Sequence, residues 1–129
     1  MSSVTRVGII GIGWVGSSVA ISTLHAGVAQ ELLIHDVRNE TAEGEAMDLA
    51  QGAAFYPAAS VRSATIDDLR GTAAVVVAAG RGGRTNHAIG LVTAARCRSL
   101  LRGERRVLTV SRVQDGALGF RDVAFSLPR

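Results

Sequence analysis

"RVGIIGIGWVGSSVA" (6–20) places three glycines, Gly11, Gly13 and Gly16, behind a β-branched run and ahead of a helical pattern. G-x-G-x-x-G spacing alone is a weak signal, because glycine-rich turns are common; the flanking segments decide its meaning. "VTRVGII" (4–10) reads as a buried parallel strand that ends at Gly11. Val15, Val19, Thr23 and Ala26 then recur at helical spacing, and Gly27 offers a C-cap. In such a unit Gly11 permits the tight turn, Gly13 leaves the backbone bare for a pyrophosphate, and Gly16 lets the helix approach the strand. The helix N-terminus adds free N–H groups and the positive end of its dipole. "ELLIHD" (31–36) is a second strand, and it ends at Asp36, 20 residues after Gly16. A carboxylate there accepts hydrogen bonds from ribose hydroxyls and repels a 2′-phosphate, which favours NAD over NADP. Arg38 either neutralises such a phosphate or stands exposed. The bland alternative for the whole constellation is a structural turn without a ligand.

Outward from this unit the alternation continues. Asn39 can cap a second helix carrying Ala42, Ala46, Leu49, Ala50 and Ala53 as one apolar stripe. "SVRS" (60–63) is a weak strand, "DDLRG" a turn, and "AAVVVAAG" (73–80) the strongest strand in the chain. Strands separated by helices argue for an α/β fold, a Rossmann-like doubly wound parallel sheet. After the loop "GRGGRT" (80–85), a helix is expected over 86–102 with Ile89, Val92, Cys97, Leu100 and Leu101. Strands follow at 105–111 and 122–128, with Asp115-Gly116 suggesting a hairpin turn. A right-handed crossover would lay the helix on the sheet and pair 107–111 parallel to 74–79. Val77 would then neighbour Leu108 and Val110. The last strand would return as an antiparallel edge, giving six strands in the order 3-2-1-4-5-6. The alternative is a helix plus hairpin standing away from the first half. Residues 1–84 and 85–129 are thus two segments, expected to pack as one compact domain.

Composition narrows the function classes. Hydrophobic residues make up 47% of the 129 positions and charged ones 19%, which predicts a packed globule rather than disorder. The longest apolar run, 73–79, is too short to span a bilayer, and no basic leader precedes the first strand, so no membrane partner is expected. The single cysteine, Cys97, excludes an internal disulfide and fits a reducing cytoplasm. Every basic residue is arginine: four stand against eight acids in 1–80, and ten against three in 81–129. That basic half holds only Phe120 and Phe125 for stacking, so a solvated or subunit-facing surface fits it better than a nucleic-acid site. No cluster of Cys, His and Asp has metal-ligand spacing.

"GIIGIGWVGSSVA", "LLIHDV", "EGEAMDLAQG" and "DDLRGTAAVVVAAG" resemble, in order, successive segments of the L-lactate/malate dehydrogenases. "TNHAIGLVTAARCRSLLRGERRVLTVSRVQDGALGFRDVAFSLP" is similar to a later part of the same family, its substrate-domain helix and following strands, and leans toward the lactate enzymes. The resemblance implies NAD contacts from Gly11, Ile12, Gly13, Trp14, Val15, Gly16 and Asp36, and from Ala79, Gly80 and Arg81 after the strongest strand. Trp14 either covers the cofactor or covers apolar surface, and Arg84 joins Arg81 on the loop. Thr85 matches the substrate-pocket threonine, which implies a small 2-hydroxy or 2-oxo acid if that pocket survives. The family's mobile-loop arginine, its Asn-Pro segment, its Asp–Arg helix and its proton-transferring histidine would fall between Arg84 and Thr85, where this sequence has none of them. The final helix is also missing from the resemblance, so the chain looks like an internally deleted, C-terminally shortened dehydrogenase. No catalytic residue is assigned: of His25, His35 and His87, only His87 stands near the pocket side, at a position the family does not use. Ile66 replaces a frequent tyrosine near the adenine, and Gln51 a frequent histidine. The functional expectation is an NAD-binding module with little or no turnover of lactate or pyruvate. The alternative is a non-catalytic protein that dimerises through the helix at 40–54.

Overall fold

The computed structural model describes residues 3–78, 87–107, 109–115 and 121–128. Strands β1 (Arg6–Ile10), β2 (Glu31–His35), β3 (Ser60–Ser63) and β4 (Ala74–Val77) form one sheet in the order β3-β2-β1-β4. All its pairings are parallel, with Val7 opposite both Leu32 and Ala74. Helices α1 (Trp14–His25) and α2 (Asn39–Gln51) connect β1 to β2 and β2 to β3. This is the parallel, Rossmann-like architecture expected of the first half.

Strand alternation assigns the core to one side of the sheet. Val7, Ile9, Leu32 and Ile34 meet Val19, Ala20 and Leu24 of α1 and Ala42, Ala46 and Leu49 of α2. Each fully buried leucine or isoleucine here contributes roughly 1.5–3 kcal/mol of hydrophobic stabilisation. The α2 stripe ends sooner than its sequence suggests. Ala50 and Ala53 are exposed, and the buried Tyr56 closes the helix end instead, its hydroxyl donating to the Leu49 carbonyl at 2.7 Å. Gly27 follows α1 in the left-handed region at φ +63°, as its expected role requires.

The opposite side of the sheet is thinly covered. Leu33, Ala64 and Leu69 form a small cluster with Ile10. A Cβ on Gly8 would lie 3.0 Å from Leu69 Cδ2, so the bare strand position is what admits that leucine. Val75 and Val77 on this side are 45% and 66% exposed.

Helix α3 (His87–Arg102) packs along α1. Its buried residues include Gly90, Ala94 and Cys97, while Ile89, Val92 and Leu100 point outward, against expectation. Closeness is the cause. A Cβ on Gly90 would fall 2.6 Å from the Ser18 carbonyl oxygen, so only small side chains fit this contact. Farther along, Arg102 Nη2 donates to the Gly27 carbonyl at 3.2 Å, so α3 and α1 run in the same direction. Burial pushes the Cys97 thiol up from its ordinary value and keeps it protonated.

Strands β5 (Thr109–Asp115) and β6 (Arg121–Pro128) pair antiparallel, Val110 opposite Leu127, in a separate two-stranded sheet. The expected six-stranded sheet does not form, and neither its parallel strand beside β4 nor its antiparallel edge is present among the described residues. Leu108 lies outside those residues. The handedness of crossovers explains the outcome. From β1, the chain moves through α1 to β2 on one side of the sheet; a strand beyond β4 lies in the other direction and needs its helix on the opposite side. Because α3 lies against α1, that connection would be left-handed. The hairpin pairs locally instead.

The α1–α3 contact is testable. Gly90→Val should destabilise the fold by about 1–3 kcal/mol, through overpacking against the Ser18 backbone. Gly44→Ala, on α2 with open space around its Cβ, should stabilise by about 0.5–1 kcal/mol. Urea denaturation of the two variants compares them directly; a neutral Gly90→Val would contradict the packing described.

Candidate functional site

The turn after β1 is held by its glycines. Gly11 sits at φ +91°, and its N–H donates to the His35 carbonyl at 2.8 Å, which ties the turn to the end of β2. A Cβ on Gly16 would collide with the Gly11 carbonyl oxygen, so α1 can start this close to the strand only because Gly16 lacks one. Gly13 is the N-cap of α1; a Cβ there would meet nothing within 4 Å, which leaves its backbone open to an approaching group. No side chain caps α1 and no acid stands in its first turn. The first turn of α1 therefore carries no carboxylate of its own against the positive end of the helix dipole.

Asp36 lies at the end of β2 beside this helix start. Its Oδ2 accepts the Ile12 N–H at 3.0 Å and its Oδ1 the Arg38 N–H at 2.9 Å. The Arg38 guanidinium stands 3.8 Å from Oδ1, with most of its own side chain exposed. These contacts hold the Asp36 carboxyl below its ordinary range: the Ile12 N–H contributes most, then the Arg38 N–H, and the Arg38 charge adds to them against some desolvation. Each carboxylate oxygen has a second lone pair, so the group retains acceptor capacity. Its side chain is 11% exposed.

Two clefts flank the glycine turn. One, of about 490 Å³, is lined by Gly11, Gly13, His35, Asp36, Val37, Arg38, Ile66 and the strand-end residues Ile10 and Ala78. The other, of about 620 Å³, lies between α1 and α2 and is lined by Trp14, Ser17, Arg38, Glu45, Asp48, His87 and neighbours. The smaller cleft has the chemistry a dinucleotide needs, since it combines the bare glycine backbone, the charged carboxylate and apolar walls.

Gly11, Ile12, Gly13, Gly16 and Asp36 thus come together, while Trp14 faces the larger cleft and Val15 is half-buried against the core. His87 opens into the larger cleft, away from Asp36. His25 is exposed and meets the edge of Tyr56, with ring centroids 6.3 Å apart. Gln51 is exposed at the end of α2, and Ile66 lines the Asp36 cleft. Ala79, Gly80, Arg81, Arg84 and Thr85 lie outside the described residues. The wall residues His35 and Val37 are not among the residues that the glycine motif picks out. The signal for them was adjacency to Asp36 at a strand end. Among the described residues no His/Cys/Asp/Glu group is arranged to hold a metal ion, and no helix is long and apolar enough to cross a membrane.

A parallel sheet whose first strand turns through three glycines into a helix, with a carboxylate at the end of the second strand, defines a dinucleotide-binding Rossmann unit. The chain belongs to the lactate/malate dehydrogenase family: residues 5–85 match the model of its NAD-binding domain. L-lactate dehydrogenase 1 of Clostridium acetobutylicum is 42% identical over 80 residues, 62% of this chain and 26% of that protein. The L-lactate dehydrogenase of Clostridium perfringens is 40% identical over 77 residues, 60% of this chain and 24% of its own. Among solved structures, the minor L-lactate dehydrogenase of Enterococcus mundtii, in a ligand-bound form, has a TM-score of 0.59 at 32% identity, covering 75% of this chain and 35% of that one. A lactate dehydrogenase from a Medee basin deep-sea metagenome library has a TM-score of 0.58 at 34% identity, covering 64% and 27%. The chain spans about a quarter of the length of the curated relatives it matches.

The depressed Asp36 carboxyl has a consequence for stability. Its folded pKa lies below the unfolded value, so its contribution is complete above the unfolded value, about 3.9, and is lost as pH falls through the folded one. Asp68, held low by the Thr65 N–H and hydroxyl, behaves in the same direction. Asp36→Asn should therefore flatten, but not abolish, the loss of stability between pH 5 and pH 2 in urea titrations.

Proposed function

We propose that the chain binds NAD(H) in the Asp36 cleft and does not run the family's hydride transfer at an ordinary enzymatic rate. The observation that carries the binding proposal is the Asp36 carboxylate, charged and aimed beside an uncapped helix start whose Gly13 is open. In this reading the pyrophosphate approaches Gly11–Gly16 and the first turn of α1, and Ala79, Gly80 and Arg81 extend the contact beyond β4. The adenosine ribose lies on Asp36, and the base lies between Val37 and Ile66. NAD(H) supplies the hydride chemistry of the parent reaction, between lactate and pyruvate. Residues 1–84 are the NAD-binding half and 85–129 a remnant of the substrate domain, with Thr85 as its pocket residue. The three histidines offer no counterpart to the family's proton carrier: His87 opens into the other cleft, and His25 lies at the far end of α1. His35 stands beside Asp36, at the adenosine end of the cleft in this reading, with Nδ1 held by the Ala64 carbonyl.

Binding and chemistry separate in one set of measurements. Calorimetry and Trp14 fluorescence should show NAD(H) bound at least about tenfold more tightly than NADP(H), because a 2′-phosphate would face the Asp36 charge. Asp36→Ala should erase that preference. Pyruvate reduction should stay near background, since loss of a positioned acid/base alone costs about 10²–10⁴-fold. Ordinary turnover abolished by His87→Ala would overturn the catalytic half of the proposal.

A second reading is favoured by the outer side of α2. Met47 and Phe55 are 66% and 80% exposed, next to exposed Ala50 and Ala54, an apolar patch that suits a homodimer through residues 40–54. Light scattering should give a dimer mass that falls to monomer in Met47→Glu/Phe55→Asp; a monomeric parent chain would dismiss it.

A further inference from the structure

His35 stands one residue before Asp36 and opposite Ile10 in the sheet. Its half-buried ring lines the Asp36 cleft, and Nδ1 lies 2.9 Å from the Ala64 carbonyl oxygen. A carbonyl can only accept, so Nδ1 carries the proton and donates. That fixes the tautomer of the neutral ring. Nε2 is left as a bare acceptor, and no described residue donates to it.

The rest of the cleft makes that acceptor distinctive. Ile10, Val37, Ile66 and Ala78 are apolar, the Arg38 guanidinium can only donate, and Asp36 already receives two backbone N–H groups. A ligand that places sugar hydroxyls on Asp36 carries its base on toward these apolar walls. There a donor on the base edge gains a partner at His35, whereas an acceptor opposes a lone pair. We propose that His35 selects the base of the dinucleotide, its Nε2 accepting a hydrogen bond from the exocyclic amino group of adenine. Hypoxanthine, with a carbonyl at the same position, is rejected. His35 is thus a specificity-determining binding residue, and the inference rests on the NAD-binding reading above.

Calorimetric titration of the chain at pH 8 with NAD and with nicotinamide hypoxanthine dinucleotide tests it. NAD should bind about tenfold more tightly, the effect of exchanging one satisfied hydrogen bond for two opposed acceptors. In His35→Phe, which keeps a flat ring without an acceptor, the ratio should fall to within about twofold. His35→Gln, whose amide oxygen can accept, should restore part of it. Asp36→Ala should weaken both dinucleotides and leave their ratio standing. Equal affinity of the unaltered chain for both bases overturns the proposal without reference to any variant. A tenfold preference that survives His35→Phe also overturns it, while leaving NAD binding intact. Failure to bind either dinucleotide removes the NAD-binding reading and this inference with it.

Discussion

Helix α1 begins so close to the turn after β1 that the Gly11 carbonyl oxygen occupies the place of any side chain on Gly16. Much of the molecule depends on that approach. It places the first turn of α1 directly over the ends of β1 and β2, and it turns the Ile12 N–H toward Asp36 rather than into the helix. The carboxylate then links two backbone segments, the turn and the start of the Arg38 loop, while remaining able to accept from a ligand. The same closeness continues along α1. Its flank away from the sheet is narrow enough at Ser18 for α3 to lie against it through Gly90. Site and helix packing are therefore two results of one steric rule, the absence of a Cβ where backbones meet.

This explains why the glycine turn was legible in the sequence. Gly11, Gly13 and Gly16 each do a different backbone job, and only glycine performs all three, so residue type and spacing carry the geometry directly. Asp36 was legible for a related reason, because a strand end fixes where its carboxylate lies. Two wall residues of the cleft were not, and Ile66 was reached only through the family resemblance. His35 and Val37 are ordinary residues whose roles arise from which strand end lies beside which loop. Periodicity places a side chain on a face but does not say which segment comes to cover it.

Helix α3 shows the opposite failure. Residues 89, 92, 97, 100 and 101 suggested a buried stripe. Cys97 is buried and Leu101 packs against the core, yet Ile89, Val92 and Leu100 point outward and Gly90 and Ala94 are buried in their place. Hydropathy ranks leucine above glycine for burial, but in a close helix contact volume decides, and the smallest residues win. The placement of α3 then decided the rest of the second half. Local signals placed the second strand of the hairpin closely, but set the first at 105–111, whereas β5 runs Thr109–Asp115 through residues expected to be connection. A parallel neighbour for β4 required a helix on the thinly covered side of the sheet, and α3 lies on the other.

The described cleft is built from a single stretch of chain. Its floor is the turn after β1, one wall is the end of β2 with Val37 and Arg38, and the other is Ile66 with Ala78. Hydrogen bonds from Gly11, Ile12, Arg38 and Ala64 N–H groups close these segments on one another, with Ile34, His35 and Asp36 as acceptors. None of these bonds involves α3 or the hairpin. Among the described residues, α3 meets this part of the molecule through α1, whose start is set by Gly11 and Gly16. Gly11, Gly13, Gly16 and Asp36 thus all fall within the residues 5–85 that match the family's NAD-binding domain, and α3 packs on α1 without joining the hydrogen bonds that close the cleft.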